Sequence, residues 1–308
     1  MLNLEIGKPK GKEIKPEDVT VVVPTLNEEG AIGGVLRELK ESGYSNIIVV
    51  DGGSTDRTVE IAKDEGVPVL MQEGKGKSDA VKTAVPYIPT PYALIMDGDH
   101  TYDPGCIAKM LRRGDYWDEV IGVRERENIP ILHRFGNWAI TKLFNLLFDT
   151  SLHDVCSGMY LIRTEFLREF DFSASGFSLE VGLAAHTASV SRRITEERVC
   201  YRKRIGKPKL RSLHGFKIVA DSLKLAWSYN PAFLIFLLSS LLLVPSSFIL
   251  AWVAYRYFLF GVSHFVWAII GSVGIGVGLI SLLFSLLSLF IKRVEYRLVE
   301  RMRNGKHE

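Results

Sequence analysis

Tyr92-Ala93-Leu94-Ile95-Met96-Asp97-Gly98-Asp99-His100 is the stretch on which the fold reading turns. Five apolar residues read as a buried strand, and the strand ends in two carboxylates separated by glycine. Glycine lets the backbone come close to a ligand, and Tyr102-Asp103-Pro104 then opens a helix. Hard carboxylate oxygens in this arrangement suit Mg2+ or Mn2+, ions that take one or two carboxylates and complete their shell with substrate phosphates.

Working outward, short β-branched runs at residues 19–23, 47–50, 67–71, 92–96 and 119–123 read as strands. Helical patterns at residues 30–41, 55–65, 78–85 and 104–113 lie between them. Such alternation predicts an α/β fold, a mostly parallel sheet with helices on both faces. Ligands of such sheets bind beyond the carboxyl ends of the strands. There the first strand delivers Pro24-Thr25-Leu26-Asn27-Glu28-Glu29, the second Asp51-Gly52-Gly53-Ser54-Thr55-Asp56 and the fourth Asp97-Gly98-Asp99. Each alone reads equally as a turn or a helix cap. Together they gather acids at one edge, a costly arrangement unless something cationic is bound.

The apolar residues are unevenly placed. The chain has 308 residues, 47% hydrophobic and 24% charged, which excludes a disordered or polar fibrous protein. Lys plus Arg number 38 against 35 Asp plus Glu, and a formal net charge of +3 excludes a strongly basic nucleic-acid binder. Residues 232–255 and 265–291 are apolar stretches long enough to cross a bilayer core of about 30 Å, which needs roughly 20 helical residues. They predict a transmembrane hairpin, the alternative being a hairpin buried in a soluble core. Lys203, Arg204, Lys207, Lys209, Arg211, Lys217 and Lys224 precede the first stretch. Lys292, Arg293, Arg297, Arg301, Arg303 and Lys306 follow the second. Basic flanks mark the cytoplasmic side, so both termini and the soluble part are expected in the cytoplasm of a two-span cell-membrane protein. Gly271, Gly274, Gly276 and Gly278 serve close packing within the hairpin or contact between two copies of the chain. Leu213, Phe216, Val219, Leu223 and Ala226 mark an amphipathic helix at the lipid interface or against the soluble domain. The three cysteines, Cys106, Cys156 and Cys200, are far apart and odd in number, which argues against a disulfide framework.

The expected organisation is an N-terminal extension at residues 1–17, a catalytic domain at 18–211, the interface helix at 212–230, the hairpin at 231–291 and a basic tail at 292–308.

PTLNEE, VVDGGSTDRT, EGKGKSDAVKTA and LIMDGDHTYDP, in this order and spacing, resemble a family 2 glycosyltransferase of the GT-A fold. IGVRERENIPILHRFGN, LHDVCSGMYLIR, GFSLEVGLAAH and YRKRIGKPKL extend the likeness over about residues 18–230. With the hairpin, the chain resembles the polyprenyl- and dolichyl-phosphate hexose synthases. That resemblance implies transfer of a hexosyl group from a UDP- or GDP-linked nucleotide sugar to a polyprenyl or dolichyl phosphate, with inversion, at the cytoplasmic face. It implies Mg2+ or Mn2+ held by Asp97 and Asp99, and donor contacts from Pro24, Asn27, Glu28, Asp51, Asp97, Arg204 and Lys209. Family members often carry a second acid where this chain has Gly52, and Ser where it has Pro208. Lys75 and Lys77 reach a donor phosphate or are merely solvated.

Arg124 and Arg134 match positions that resemble the acceptor-phosphate arginines, and bidentate Arg suits that role. Asp154 resembles the acid near the reacting centre, and Glu180 falls where inverting relatives carry a base. Asp99, Asp154 and Glu180 are therefore the catalytic candidates, and either of the last two acids could instead pair structurally with an arginine. The helix with Trp138, Ile140, Leu143, Phe144, Leu146, Leu147 and Phe148 reads as core or as a lipid-contacting surface. Two other functions fit the same motifs: transfer to a glycan or another lipid acceptor, and a membrane-anchored sugar-nucleotide-binding protein without turnover.

Overall fold

The computed structural model describes residues 13–125, 129, 131–172, 179–191, 193–205, 227 and 231–304. The expected interface helix at 212–230 lies outside these residues except for Trp227, as do Lys207, Pro208 and Lys209. The chain forms two compact units, Met1–Ser222 and Leu223–Glu308.

In the first unit, β1 (Val19–Thr25) is an interior strand, and its β-branched residues are buried on both faces. It pairs in parallel with β2 (Ile47–Asp51) on one side and β4 (Tyr92–Ile95) on the other. Val21 stands opposite Ile47 and Leu94. β3 (Val69–Met71) adds beyond β2, also in parallel. The helices α1 (Ile32–Glu41), α2 (Thr58–Asp64), α3 (Lys77–Ala84) and α4 (Ile107–Gly114) occupy the crossovers.

Strand alternation divides the core in two. Val19, Val21, Val23, Leu94 and Met96 pack with Ile32, Val35, Leu36 and Leu39 of α1, spaced to share one helix face. Val22, Val50 and Ile95 face the other way, against Ala80, Val81 and Ala84 of α3.

The far half of the sheet departs from simple alternation. β5 (Glu119–Arg124) does not join β4 directly. β6 (Tyr160–Arg163) runs antiparallel between them, with Tyr160 opposite Ile95 on one side and Ile121 on the other. β7 (Ile194–Val199) closes the edge in parallel with β5, giving the order β3-β2-β1-β4-β6-β5-β7. Between β5 and β6 lies α5 (Ile131–Phe148), and α6 (Thr164–Glu169) and α7 (Leu179–Val190) lie between β6 and β7. α5 divides its apolar residues: Phe144, Leu147 and Phe148 are buried, whereas Phe135, Trp138 and Leu146 are exposed.

The second unit holds α8 (Pro231–Phe260) and α9 (Phe265–Asn304). Leu234–Phe260 and Phe265–Ile291 are each 27 residues of span length and composition. At 1.5 Å per residue each reaches about 40 Å, enough for a bilayer core with some tilt. Their large apolar side chains, Phe236, Leu238, Phe248, Leu283 and Phe290 among them, are exposed, unlike those of a hairpin inside a soluble core. The connection is shorter than the sequence suggested because α8 continues through Arg256 to Phe260. It stops at Gly261, whose φ of 66° is the left-handed conformation of a helix C-cap; its N–H donates to the Tyr257 carbonyl at 3.0 Å. Past Ile291 the backbone stays helical to Asn304, so much of the basic tail is a continuation of α9.

The glycine stripe has a partner inside this hairpin. A Cβ at Gly271 would meet Leu250 at 2.7 Å and one at Gly278 would meet Leu243 at 2.6 Å. Gly274 faces Ser246 more closely still, whereas Gly276 has open space.

Candidate active site

The exits of β1 and β2 are sewn together. Asn27, at a φ of 50°, accepts from the Thr55 N–H through Oδ1 (2.8 Å), and its own N–H donates to Ser54 Oγ (2.8 Å). The Glu28 N–H donates to Thr58 Oγ1 at 2.8 Å. Asp51 is fully buried and accepts from the N–H groups of Gly53 (2.9 Å) and Ser54 (2.8 Å) and from Ser54 Oγ (2.5 Å). Its carboxylate shapes the turn after β2. A Cβ on the neighbouring Gly52 would stand 3.1 Å from Gln72 Oε1 and 3.3 Å from the Thr25 carbonyl, so the glycine keeps this wall of the edge open.

At the exit of β4 both carboxylates meet cations. Lys77, the first residue of α3, places Nζ 2.6 Å from Asp97 Oδ1 and 2.7 Å from Glu180 Oε1 in the first turn of α7. The same ammonium donates to the Gly158 carbonyl at 3.3 Å. Lys77 thus joins two acids supplied by distant segments. Burial works against its charge, yet Asp97 and Glu180 hold its pKa well above the ordinary lysine value. The Asp97 carboxyl is pushed up by burial, opposed by Lys77 and reinforced by Asp99 and Glu180. Gly158 is needed for this approach: a Cβ there would lie 2.9 Å from Asp97 Cγ and 3.1 Å from Lys77 Nζ.

Asp99 accepts from Thr101 through Oδ1, from Oγ1 at 2.6 Å and from the N–H at 3.2 Å. Its Oδ2 lies 3.1 Å from Nη1 of Arg204, whose Nη2 is 2.7 Å from Glu28 Oε1. Arg204 therefore joins the β1 and β4 exits from a segment beyond β7.

Asp154 and Arg124, read from the sequence as separate candidates, form one bidentate pair. Arg124 Nε and Nη2 donate to the two oxygens of Asp154 at 2.7 and 2.8 Å. The guanidinium lies 5.7 Å from the ring centre of Tyr201. Burial alone would lower the Arg124 pKa, but Tyr102 and Asp154 hold it well above its ordinary value. Glu196 on β7 fixes the turn that carries the acid, accepting from the N–H groups of His153 (2.6 Å) and Asp154 (2.9 Å). Arg134 stands further along, in α5, where Nε donates to the Ile129 carbonyl at 2.7 Å. Pro24 is the partly exposed residue of β1.

The structure thus gathers Asp97, Glu180 and Lys77 into one cluster, Glu28, Asp99 and Arg204 into a second, and Arg124 with Asp154 into a third. Sequence reasoning passed over Gly158, Glu196 and Arg202, although Gly158 and Arg202 lie inside motifs already quoted. The signal for Gly158 was its place directly after Cys156-Ser157, in a turn leading to a strand.

Asp97 and Asp99 offer the hard oxygens that Mg2+ or Mn2+ prefers, and the burial that raises Asp97, with Asp99 and Glu180 adding to it, is the kind of cost a bound cation offsets. Among the described residues no group of three or more His, Cys, Asp or Glu side chains forms a complete metal cage. Asp97 and Asp99 are the residues that would hold such an ion, two carboxylates being the number it commonly takes from a protein.

Residues 20–171 match the family model described as glycosyl transferase family 2. The chain is 30% identical over 301 residues to glycosyltransferase AglJ of Haloferax volcanii, spanning 93% of this chain and 99% of that one. It is 35% identical over 214 residues to the dolichyl-phosphate hexose transferase of the same organism, spanning 67% and 92%. Among solved structures, glucosyl-3-phosphoglycerate synthase from Mycobacterium tuberculosis, in complex with Mn2+ and UDP-glucose, matches with a TM-score of 0.55 at 21% identity. That match covers 68% of this chain and 78% of the other. At that identity the likeness establishes the GT-A-like fold.

Proposed function

Because the chain belongs to glycosyl transferase family 2, we propose that this glycosyltransferase moves a hexosyl group from a UDP- or GDP-linked sugar to a polyprenyl or dolichyl phosphate. The transfer takes place at the cytoplasmic face of the membrane and inverts the anomeric carbon. One observation carries this reading. A single chain joins a strand-end cluster of carboxylates and cations, fit for a sugar diphosphate, to two spans of 27 residues each. The relative named as a dolichyl-phosphate hexose transferase supports the choice of acceptor.

In this reading Pro24, Asn27 and Glu28 border the nucleoside, on a loop whose shape Asp51 maintains. Asp97 and Asp99 hold Mg2+ or Mn2+, and the bound ion supplies charge neutralisation for the departing diphosphate. Arg204, already beside Asp99, adds positive charge there, and the family resemblance gives Lys209 the same role. Lys77 keeps Asp97 and Glu180 in register, so the contribution of Glu180 is orientation and charge at the sugar.

The acceptor needs little activation. A phosphate monoester has a second pKa near 6 and is largely doubly ionised at neutral pH. Catalysis then rests on alignment and on stabilising the leaving group. Asp154 consumes two of the five N–H donors of Arg124, leaving the rest of the guanidinium to meet the lipid phosphate together with Arg134. The exposed Phe135, Trp138 and Leu146 of α5 supply an apolar surface for the isoprenoid or the lipid interface. The same reading assigns catalysis to residues 18–211, interface contact to 212–230 and anchoring to 231–291. The basic flanks at 203–224 and 292–306 set both termini in the cytoplasm.

Asp99→Ala tests the donor half. Transfer should fall by at least about 10²-fold, the usual cost of removing a principal electrostatic stabiliser, with the fold retained by circular dichroism. Undiminished turnover removes the metal role of this acid.

A further inference from the structure

After β7 the chain turns back across the exit of β4. Tyr201 forms an isolated antiparallel bridge with Tyr102, their rings lie 5.2 Å apart, and the Arg202 N–H donates to the Thr101 carbonyl at 2.7 Å. The next contacts are those of the Arg202 guanidinium. Nη1 meets both oxygens of Glu38 on α1, at 2.7 and 3.0 Å, and Nη2 lies 3.1 Å from Asp103 Oδ2. His100, at a φ of 62°, joins the cluster with Nε2 2.8 Å from Glu38 Oε1 and 3.2 Å from Arg202 Nη1. Two residues on, Arg204 reaches Glu28 and Asp99.

We propose that Arg202 is a positioning residue for the donor site: clamped by Glu38 and Asp103, it fixes the segment that presents Arg204 to Asp99. The inference rests on the donor-site reading above and adds a residue to it. Three elements meet at this guanidinium: helix α1, the turn after β4 and the segment leaving β7. Only a planar fork with several fixed N–H donors meets acceptors in that arrangement, so lysine is a poor substitute. The clamp is about one-third exposed at Arg202 and at Glu38, and salt-screened pairs of that kind add modest stability. Its effect is therefore on placement. Loss of the clamp leaves residue 202 held only by its backbone bond to Thr101, free to swing about that point, and a misplacement of about 1 Å at Arg204 can cost up to 10²-fold in function.

The test uses full-length protein in detergent and titrates UDP and GDP, each with Mn2+, by calorimetry. Arg202→Gln and Glu38→Gln should each weaken binding about tenfold, Arg202→Lys should restore little of it, and melting temperatures should move little. Glu38→Gln opens the clamp from its other side and covers a failure of the Arg202 variant to fold. Because Arg202 acts through Arg204, the Arg202→Gln/Arg204→Gln double variant should bind no worse than Arg204→Gln alone. Additive losses in that cycle, or unchanged binding in both Arg202→Gln and Glu38→Gln, overturn the inference. If Arg204→Gln alone weakens binding, the donor-site reading stands and only the clamp falls. If Arg204→Gln binds as the unaltered protein does, or neither nucleotide binds the unaltered protein, the donor-site reading falls and the clamp with it.

Discussion

Separating Arg124 from Asp154 tests how the proposed acceptor side is built. Both side chains are nearly buried, at 12% and 10% exposed, and two parallel hydrogen bonds of 2.7 and 2.8 Å join them. At an effective dielectric constant of about 20, unit charges about 4 Å apart attract by about 4 kcal/mol, and desolvation cancels part of this. Removing one partner leaves the other charge buried, which typically costs about 3–5 kcal/mol. Arg124→Lys keeps the charge but not the fork, so it should lose one charge-assisted hydrogen bond, about 1.5–3 kcal/mol. A double-mutant cycle with Arg124→Gln and Asp154→Asn, read from unfolding of the full-length protein, should give a coupling energy of about 2–3 kcal/mol. The same variants, assayed at saturating donor, should lose acceptor kcat/KM by at least about tenfold, since 1.4 kcal/mol in the barrier is a factor of ten. A coupling below about 0.5 kcal/mol, the level of an exposed ion pair, would refute the idea that this pair holds Asp154 in place.

Glu119 on β5 is buried, its Oε2 has no hydrogen-bond partner among the described residues, and burial pushes its carboxyl up to about 8. A folded-state pKa above the unfolded one means stability is fully present at low pH and is lost as pH rises toward 8, by about 1.4 kcal/mol per pH unit. Glu119→Gln should therefore unfold like the parent near pH 5 and be increasingly more stable up to about pH 8; a constant difference across that range would contradict the assignment. Gly158→Ala puts a Cβ 2.9 Å from Asp97 Cγ and 3.1 Å from Lys77 Nζ. It should weaken Mn2+–nucleotide binding by at least about tenfold, and binding at parental strength would show that the site tolerates a displaced Asp97.

The half of the fold that carries the donor motifs was legible because strand, turn and helix agree there. Val19–Thr25, Ile47–Asp51 and Tyr92–Ile95 are β-branched or apolar runs, each followed by a polar turn. The far half was harder to read. Tyr160–Arg163 is four residues long, and nothing in its composition announces an antiparallel strand between two others. Ile194–Val199 carries Thr195, Glu196, Glu197 and Arg198, the charge pattern of a protected edge. Nothing in that run names the partners: Glu196 holds the Asp154 turn and Glu197 pairs with Arg113.

The site shows the same limit. Acids at one edge follow from strand order, but their partners do not. Lys77 read as a phosphate-facing or solvated lysine, and the structure gives it Asp97 and Glu180. Arg124 and Asp154 were each legible, but their pairing depends on β5 and the turn before β6 meeting in space. The glycine stripe left two packing partners open. Within the hairpin Gly271, Gly274 and Gly278 face α8, while Gly276 does not.

The central claim is tested most directly by following where the sugar goes. Purified full-length protein is incubated with Mn2+, a polyprenyl phosphate and radiolabelled UDP-glucose, UDP-GlcNAc or GDP-mannose in turn, and label is counted in the organic phase. The account predicts organic-extractable label from at least one donor, dependent on the lipid phosphate and lost in Asp99→Ala. Label that stays aqueous with every donor, or that enters the organic phase without the lipid phosphate, would contradict it.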